Sequence, residues 1–196
     1  MTELAAGFAS PVRDAQRAFR SLLEAMARPG SIVVPCAPPT PPAPLPPAMA
    51  AVALTLLDGD TPLWLDDGGA EARAWLRFHC GCRLVDDPGE ASFVFVTAAS
   101  QTPPHARLRA GSDEYPDRSA ILVLAVQALG EGEAFALSGP GIDGTRELRA
   151  AGVPARFVAD RAENHRLFPR GVDTLLVAGA RLVALPRSTS LRPLER

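Results

Sequence analysis

Four short stretches punctuated by glycine and proline constrain the path of this chain more than any periodicity in it. They are residues 27–30 (ARPG), 113–117 (DEYPD), 138–142 (SGPGI) and 168–173 (FPRGVD). Glycine reaches backbone angles closed to other residues and proline fixes φ, so each stretch specifies a stiff, shaped connection rather than a generic loop. A fifth region is more extreme: residues 35–47 hold eight prolines in thirteen positions. It can sustain neither a helix nor an interior strand, and the expectation is an extended path over the surface.

Between these fixed points the elements follow from pattern. Ser10 is placed to cap a helix that opens on Pro11, with Val12, Ala15, Phe19, Leu22, Leu23 and Met26 on one face and Pro29-Gly30 at its end. Residues 48–57 are apolar nearly all round, the pattern of a buried helix ending at Asp58-Gly59. Residues 62–65 read as a short strand and 70–78 as a helix with Trp75 and Leu76 inward. Residues 92–96 (SFVFV) and 121–126 read as buried strands on either side of a polar stretch, 97–118. Residues 134–137 are expected to continue the same sheet, 145–151 and 160–167 to be helices, and 173–177 and 181–185 to pair as strands around Gly179. Strands that are apolar without strict alternation point to a layered α/β domain, a mixed sheet with helices on both faces.

Composition sets the outer limits. At 196 residues and 47% hydrophobic, the chain is most simply one domain, with residues 1–10 a peripheral tail. A formal charge of −2 gives no electrostatic reason to expect nucleic acid or an anionic membrane as partner. All 20 basic residues are arginine and none is lysine. A pyridoxal phosphate aldimine cannot form without lysine, and the phosphate loop GxxxxGK[ST] is missing. Three cysteines argue against a secreted disulfide framework and favour the cytoplasm. Residues 1–10 lack the basic and apolar pattern of an export signal, and no apolar run approaches the roughly 20 residues of a membrane span, so neither export nor insertion is expected.

Few residues combine into chemistry. His79, Cys80 and Cys82, with Cys36 as a possible fourth ligand, offer zinc-type donors, but C-x-C lacks the usual two-residue spacing, and no metal site is expected. Gly139, Pro140 and Gly141 follow an apparent strand and form the best functional loop. Small residues there allow backbone N–H groups to approach a phosphate or phosphonate; the alternative is a tight strand-to-helix turn or a subunit contact, since all four residues of 138–141 are common turn formers. Arg28 and Arg187 sit inside such stretches and suit bidentate anion binding, with Ser188 and Thr189 adding hydroxyl donors; structural ion pairs are the alternative. Asp113, Glu114 and Asp117 around Tyr115 could hold a metal-bound phosphate or face solvent, and His79, His105 and His165 sit near no nucleophile elbow.

Taken in order, these stretches resemble the PhnH family, the H subunit of the bacterial carbon-phosphorus lyase system. The resemblance runs from 19–30 (FRSLLEAMARPG) through 56–58 (LLD), 62–66 (PLWLD), 115–117 (YPD), 137–142 (LSGPGI) and 168–173 to 185–189 (LPRST), nearly the whole chain. It implies a fold related to the large domain of pyridoxal phosphate transferases but without cofactor, in agreement with the missing lysine. It further implies a homodimer that assembles with G, I and J subunits to join an alkylphosphonate to the ribose of ATP, releasing adenine, before the carbon-phosphorus bond is cut. Family members usually have an apolar residue where Arg170 stands, so no family role passes to it. Catalytic residues in this chain are unassigned. Two other readings compete: an independent nucleotide- or phosphate-binding protein, and a purely structural assembly subunit.

Overall fold

A computed structural model describes residues 4–38, 40–67 and 69–194. In chain order the elements are α1 (Pro11–Ala27), α2 (Pro47–Leu56), β1 (Leu63–Leu65), α3 (Gly69–Cys80), β2 (Phe93–Val96), β3 (Ile121–Ala125), β4 (Ala128–Ser138), β5 (Arg146–Ala151), α4 (Phe157–Arg166), β6 (Asp173–Ala178), β7 (Arg181–Leu185) and β8 (Ser190–Pro193). They form two sheets. The larger runs β1-β2-β3-β6-β7, parallel across its first four strands, with β7 antiparallel at the edge; the smaller, β5-β4-β8, is antiparallel.

Alternation along the larger sheet divides the core in two. Leu63, Leu65, Phe93, Phe95, Val123, Leu175 and Val177 pack on α1, α2 and α3, where Trp75, Leu76 and Met49 are fully buried. Val94, Val96, Leu122, Leu124, Leu176 and Val183 face the other way, onto Leu129, Phe135, Leu137, Leu148 and Leu191 of the second sheet and Phe157 of α4. The chain is therefore α/β with mixed sheets flanked by helices, but one face expected to carry helices carries a sheet. A strand buried on both sides has the same apolar sequence whatever covers it.

Residues 146–151, expected as a helix, form β5, and 134–137 belong to the second sheet rather than the first. Helix-favouring Arg, Glu, Leu and Ala suggested the wrong element, yet their period is two: Leu148 and Ala150 point inward, while Glu147 and Arg149 point out and pair at 2.7 Å. Long pairing with β4 overrides the weak local preference.

Helix α1 differs in orientation. Ala18, Leu22 and Ala25 face the core, and the two alanines let α1 lie close on α2, whereas Val12, Phe19 and Leu23 are 83%, 44% and 53% exposed. The Ser10 hydroxyl does not cap the helix; its backbone N–H donates to Asp14 Oδ2 at 2.8 Å instead. The proline-rich stretch is less superficial than expected, with Pro35, Pro38 and Leu45 buried and Val33, just before it, bridging to Leu182 of edge strand β7. The N-terminal stretch is also docked: Trp75 Nε1 donates to Ala5 O at 2.9 Å, and His79 Nε2 lies 3.0 Å from the same carbonyl.

Under α4 lies a buried polar group of residues. Arg161 donates to the carbonyls of Val172, Pro186 and Thr189, and burial pulls its guanidinium down to about 10. Asn164 exchanges two hydrogen bonds with the Val172 backbone, at 3.0 and 2.7 Å. His105 Nδ1 lies 3.3 Å from Asp160 Oδ2, and burial, reinforced by Arg161, holds the imidazole below its ordinary value of 6.5 despite Asp160. A lowered folded value means the unfolded chain takes up this proton first, so stability falls as pH drops below about 6.5. Urea unfolding at pH 7.5 and 5.5 should show a smaller loss for His105→Gln than for the natural chain.

Candidate functional site

Strand direction gathers the glycine and proline stretches on one edge. Residues 113–117 precede β3 and 168–172 precede β6, while β7, running the other way, delivers 186–189 to the same edge. The turn after α1 joins them through Gly30 N–H, which donates to Ala184 O at 3.2 Å. The edge where β3 and β6 begin is thus built almost wholly from these stretches.

Arg187 is its centre. Nε and Nη2 grip the Asp173 carboxylate at 3.2 and 2.6 Å, Nη2 also donates to Ser119 Oγ at 2.6 Å, and Nη1 donates to Pro116 O at 2.6 Å and Pro169 O at 3.5 Å. Its backbone N–H adds a 2.7 Å bond to Asp173 Oδ1. The side chains of Arg187 and Asp173 are only 15% and 13% exposed. One guanidinium, with every N–H spent, ties three stretches together. A phosphonate arriving there would have to displace a buried carboxylate.

The remaining candidates form a second cluster beside it. The 139–141 loop connects β4 to β5, a strand-to-strand turn rather than strand-to-helix. Gly139 has φ 135°, and a Cβ there would sit 2.8 Å from Ser188 O; Gly141 has φ 82°, and a Cβ there would strike Ala27 O and come within 2.9 Å of Pro29 Cδ. Backbone meets backbone at both positions. Arg146 Nη1 fastens the adjoining turn by donating to Pro29 O at 3.1 Å and Ser31 Oγ at 2.5 Å. Arg28, Gly139, Pro140, Gly141 and Ser188 therefore share one corner, Thr189 is fully buried beneath it, and the Arg187 side chain points away. Arg28 is exposed and paired with Glu24 at 2.9 Å.

Loop pairing also accounts for Arg170, whose Nε lies 3.0 Å from Asp113 Oδ1. The two loops that Arg187 and this pair hold together project Tyr115 and Phe168, 41% and 63% exposed, with the Arg118 guanidinium 4.0 Å from the tyrosine ring centre. Both are aromatic side chains on rigid supports.

Cys36 lies against Asp14, Cys82 Sγ donates to Leu76 O, and burial pushes the Cys80 thiol up to about 12. No group of three His, Cys, Asp or Glu side chains among the described residues is arranged to hold a metal.

Sequence reasoning missed a cleft of about 330 Å³ at the opposite edge, lined by Trp64, Asp66, Asp67, Arg73, Asp86 and Gln101. Asp66, buried just past β1, accepts from the backbone N–H groups of Thr97 and Ala98 at 2.6 and 3.0 Å, and Arg73 Nη2 donates to Leu65 O and Asp66 O. Open α/β sheets bind ligands beyond such carboxyl ends. Here three carboxylates face one guanidinium, a poor balance for a phosphate. The signal was present in the sequence as two aspartates directly after the 62–65 strand.

A layered α/β chain whose glycine and proline loops interlock along one edge is of the kind found in bacterial phosphonate metabolism, for the family described as bacterial phosphonate metabolism protein (PhnH) matches residues 6–192. The chain belongs to the PhnH family. It is 41% identical over 186 residues, 94% of this chain and 93% of the relative, to the alpha-D-ribose 1-methylphosphonate 5-triphosphate synthase subunit PhnH of Rhizobium meliloti (strain 1021). It is 35% identical over 176 residues, 90% of this chain and 85% of the relative, to the putative C-P lyase subunit protein HtxG of Stutzerimonas stutzeri. No helix among the described residues is long and apolar enough to cross a membrane.

Proposed function

We propose that this chain is the H subunit of an alpha-D-ribose 1-methylphosphonate 5-triphosphate synthase in phosphonate catabolism. The observation that carries this reading is the 41% identity, spanning 94% of the chain, to a relative of that name. In this reading the complex transfers an alkylphosphonate to the ribose of ATP with release of adenine, and this chain works in the cytoplasm as one domain, a homodimer when alone, with no cofactor of its own. Its G, I and J partners complete the assembly. The implied likeness to the large domain of pyridoxal phosphate transferases suits the parallel core of the larger sheet.

The geometry favours an organising role over an independent anion pocket. Arg187 is saturated by protein groups and Arg28 is paired with Glu24, while the loops they belong to are held rigidly around the exposed Tyr115 and Phe168. Exposed aromatic residues on stiff loops are the usual anchors of an interface. Arg28, the 139–141 loop and Ser188 form the adjoining corner, the place on this chain for contact with ATP or phosphonate.

Co-expression with the G, I and J subunits tests the role of the anchors. Tyr115→Ala with Phe168→Ala is expected to weaken co-elution by about 2 kcal/mol, roughly thirtyfold. The folding stability of the isolated chain should change by less than about 0.5 kcal/mol, as for other exposed side chains. Full assembly of the double variant would remove the signature edge from the interface.

A further inference from the structure

Helix α1 turns an apolar stripe to solvent that its own fold does not use. Val12, Phe19 and Leu23 are separated by seven and four residues, which places them within about 40° of one another on the helix surface. They are 83%, 44% and 53% exposed, whereas Ala18, Leu22 and Ala25 hold α1 to the core. The stripe has one charged border. Arg20, Arg13 and Arg17 follow at about 80–140° round the helix, all exposed. The two acids nearby are engaged, Glu24 with Arg28 and Asp14 with the Ser10 N–H. Among the described residues Arg13, Arg17 and Arg20 form no ion pair.

We infer that this face of α1 is a docking surface for a different protein chain, one that presents an apolar ridge bordered by carboxylates. The inference rests on the complex-subunit reading and adds to it a second contact face, on a different element from the Tyr115 and Phe168 loops. Charge decides the occupant. A second copy of this chain packing antiparallel on α1 about a two-fold axis would set each arginine border against its own twin, and like charges across an interface are strongly unfavourable. An acidic partner relieves all three arginines while covering the stripe.

The full-length chain is co-expressed with the G, I and J subunits, in its natural form, as Phe19→Glu with Leu23→Glu, and as Arg13→Glu with Arg17→Glu and Arg20→Glu. All five positions are exposed, so melting temperatures should remain close to that of the natural chain. Each variant is expected to bind the remaining subunits at least roughly tenfold more weakly. Raised salt should weaken the natural chain and, by screening glutamate from carboxylate, strengthen the residual binding of the arginine variant. The mass of the isolated chain in sedimentation should be the same in all three. Assembly of both variants with natural affinity overturns the inference while leaving the subunit reading intact. Loss of self-association in the variants would make a second copy the occupant, and binding of the natural chain, but not the variants, to phosphatidylglycerol vesicles would make it a membrane; either result overturns the inference. Failure of the natural chain to join any subunit overturns the reading and the inference together.

Discussion

Arg187→Ala is expected to cost about 3–5 kcal/mol of folding stability, because it leaves the nearly buried Asp173 carboxylate without its cation. The Pro116 and Pro169 carbonyls and the Ser119 hydroxyl lose a donor in the same step. The loss should appear as a lower midpoint in guanidinium chloride unfolding with an unchanged slope. Arg187→Lys should recover only part of it, since an ammonium cannot grip the carboxylate with two parallel bonds while reaching the neighbouring loops. Asp173→Ala combined with Arg187→Ala should cost less than the two single changes added together, because neither charge is then left alone. A cost below about 1 kcal/mol for Arg187→Ala would mean that this residue does not hold the signature edge, and would return it to the pool of ligand-binding arginines.

Gly141→Ala should be nearly as damaging, at about 3 kcal/mol or more, for two separable reasons. At φ 82° any L side chain is strained, by about 1–2 kcal/mol, and the new methyl group would also strike the Ala27 carbonyl and the Pro29 ring. Gly144 supplies the control. It too has a positive φ, 65°, but a Cβ there meets nothing within 4 Å, so Gly144→Ala should cost only the conformational part. Thermal unfolding of the two variants measures the difference. Equal losses would show that the 139–141 loop does not press on the end of α1.

The contrast between these sites explains what the sequence could convey. Local pattern was sufficient for the central strands, because FVFV at 93–96 and ILVLA at 121–125 carry the composition of strands buried on both faces. It was also sufficient for the 173–178 and 181–185 hairpin, where Gly179 marks the turn. It could not say that a second sheet covers one face, nor that residues 146–151 pair with β4, because both depend on contacts distant in sequence. Helix α1 was misoriented because the apolar stripe is wider than the core it meets, and two alanines, weak signals alone, decide which side is buried.

The same distance effect governs the site. The four stretches and the 185–189 segment were visible as special, and they do meet. Their chemistry was not visible, since the partners of Arg187 lie 14, 68 and 71 residues away, at Asp173, Ser119 and Pro116. Read alone, an arginine beside two hydroxyl residues suits an anion; read in place, it is the fastener of three loops. Arg170 and Asp113 repeat the lesson across another pair of loops. The cleft beyond β1 was missed because its lining comes from four separate stretches, 64–67, 73, 85–86 and 101, and in the sequence only the Asp66-Asp67 pair stands out as polar at a strand end.

The most direct test of the central claim is adenine release from ATP and methylphosphonate by the co-expressed G, I and J subunits, measured with and without this chain. If the chain is the H subunit, omission should abolish adenine release and addition of the purified chain should restore it, in step with its co-elution in the complex. Undiminished adenine release without the chain, together with a free chain that never joins the other subunits, would contradict the account.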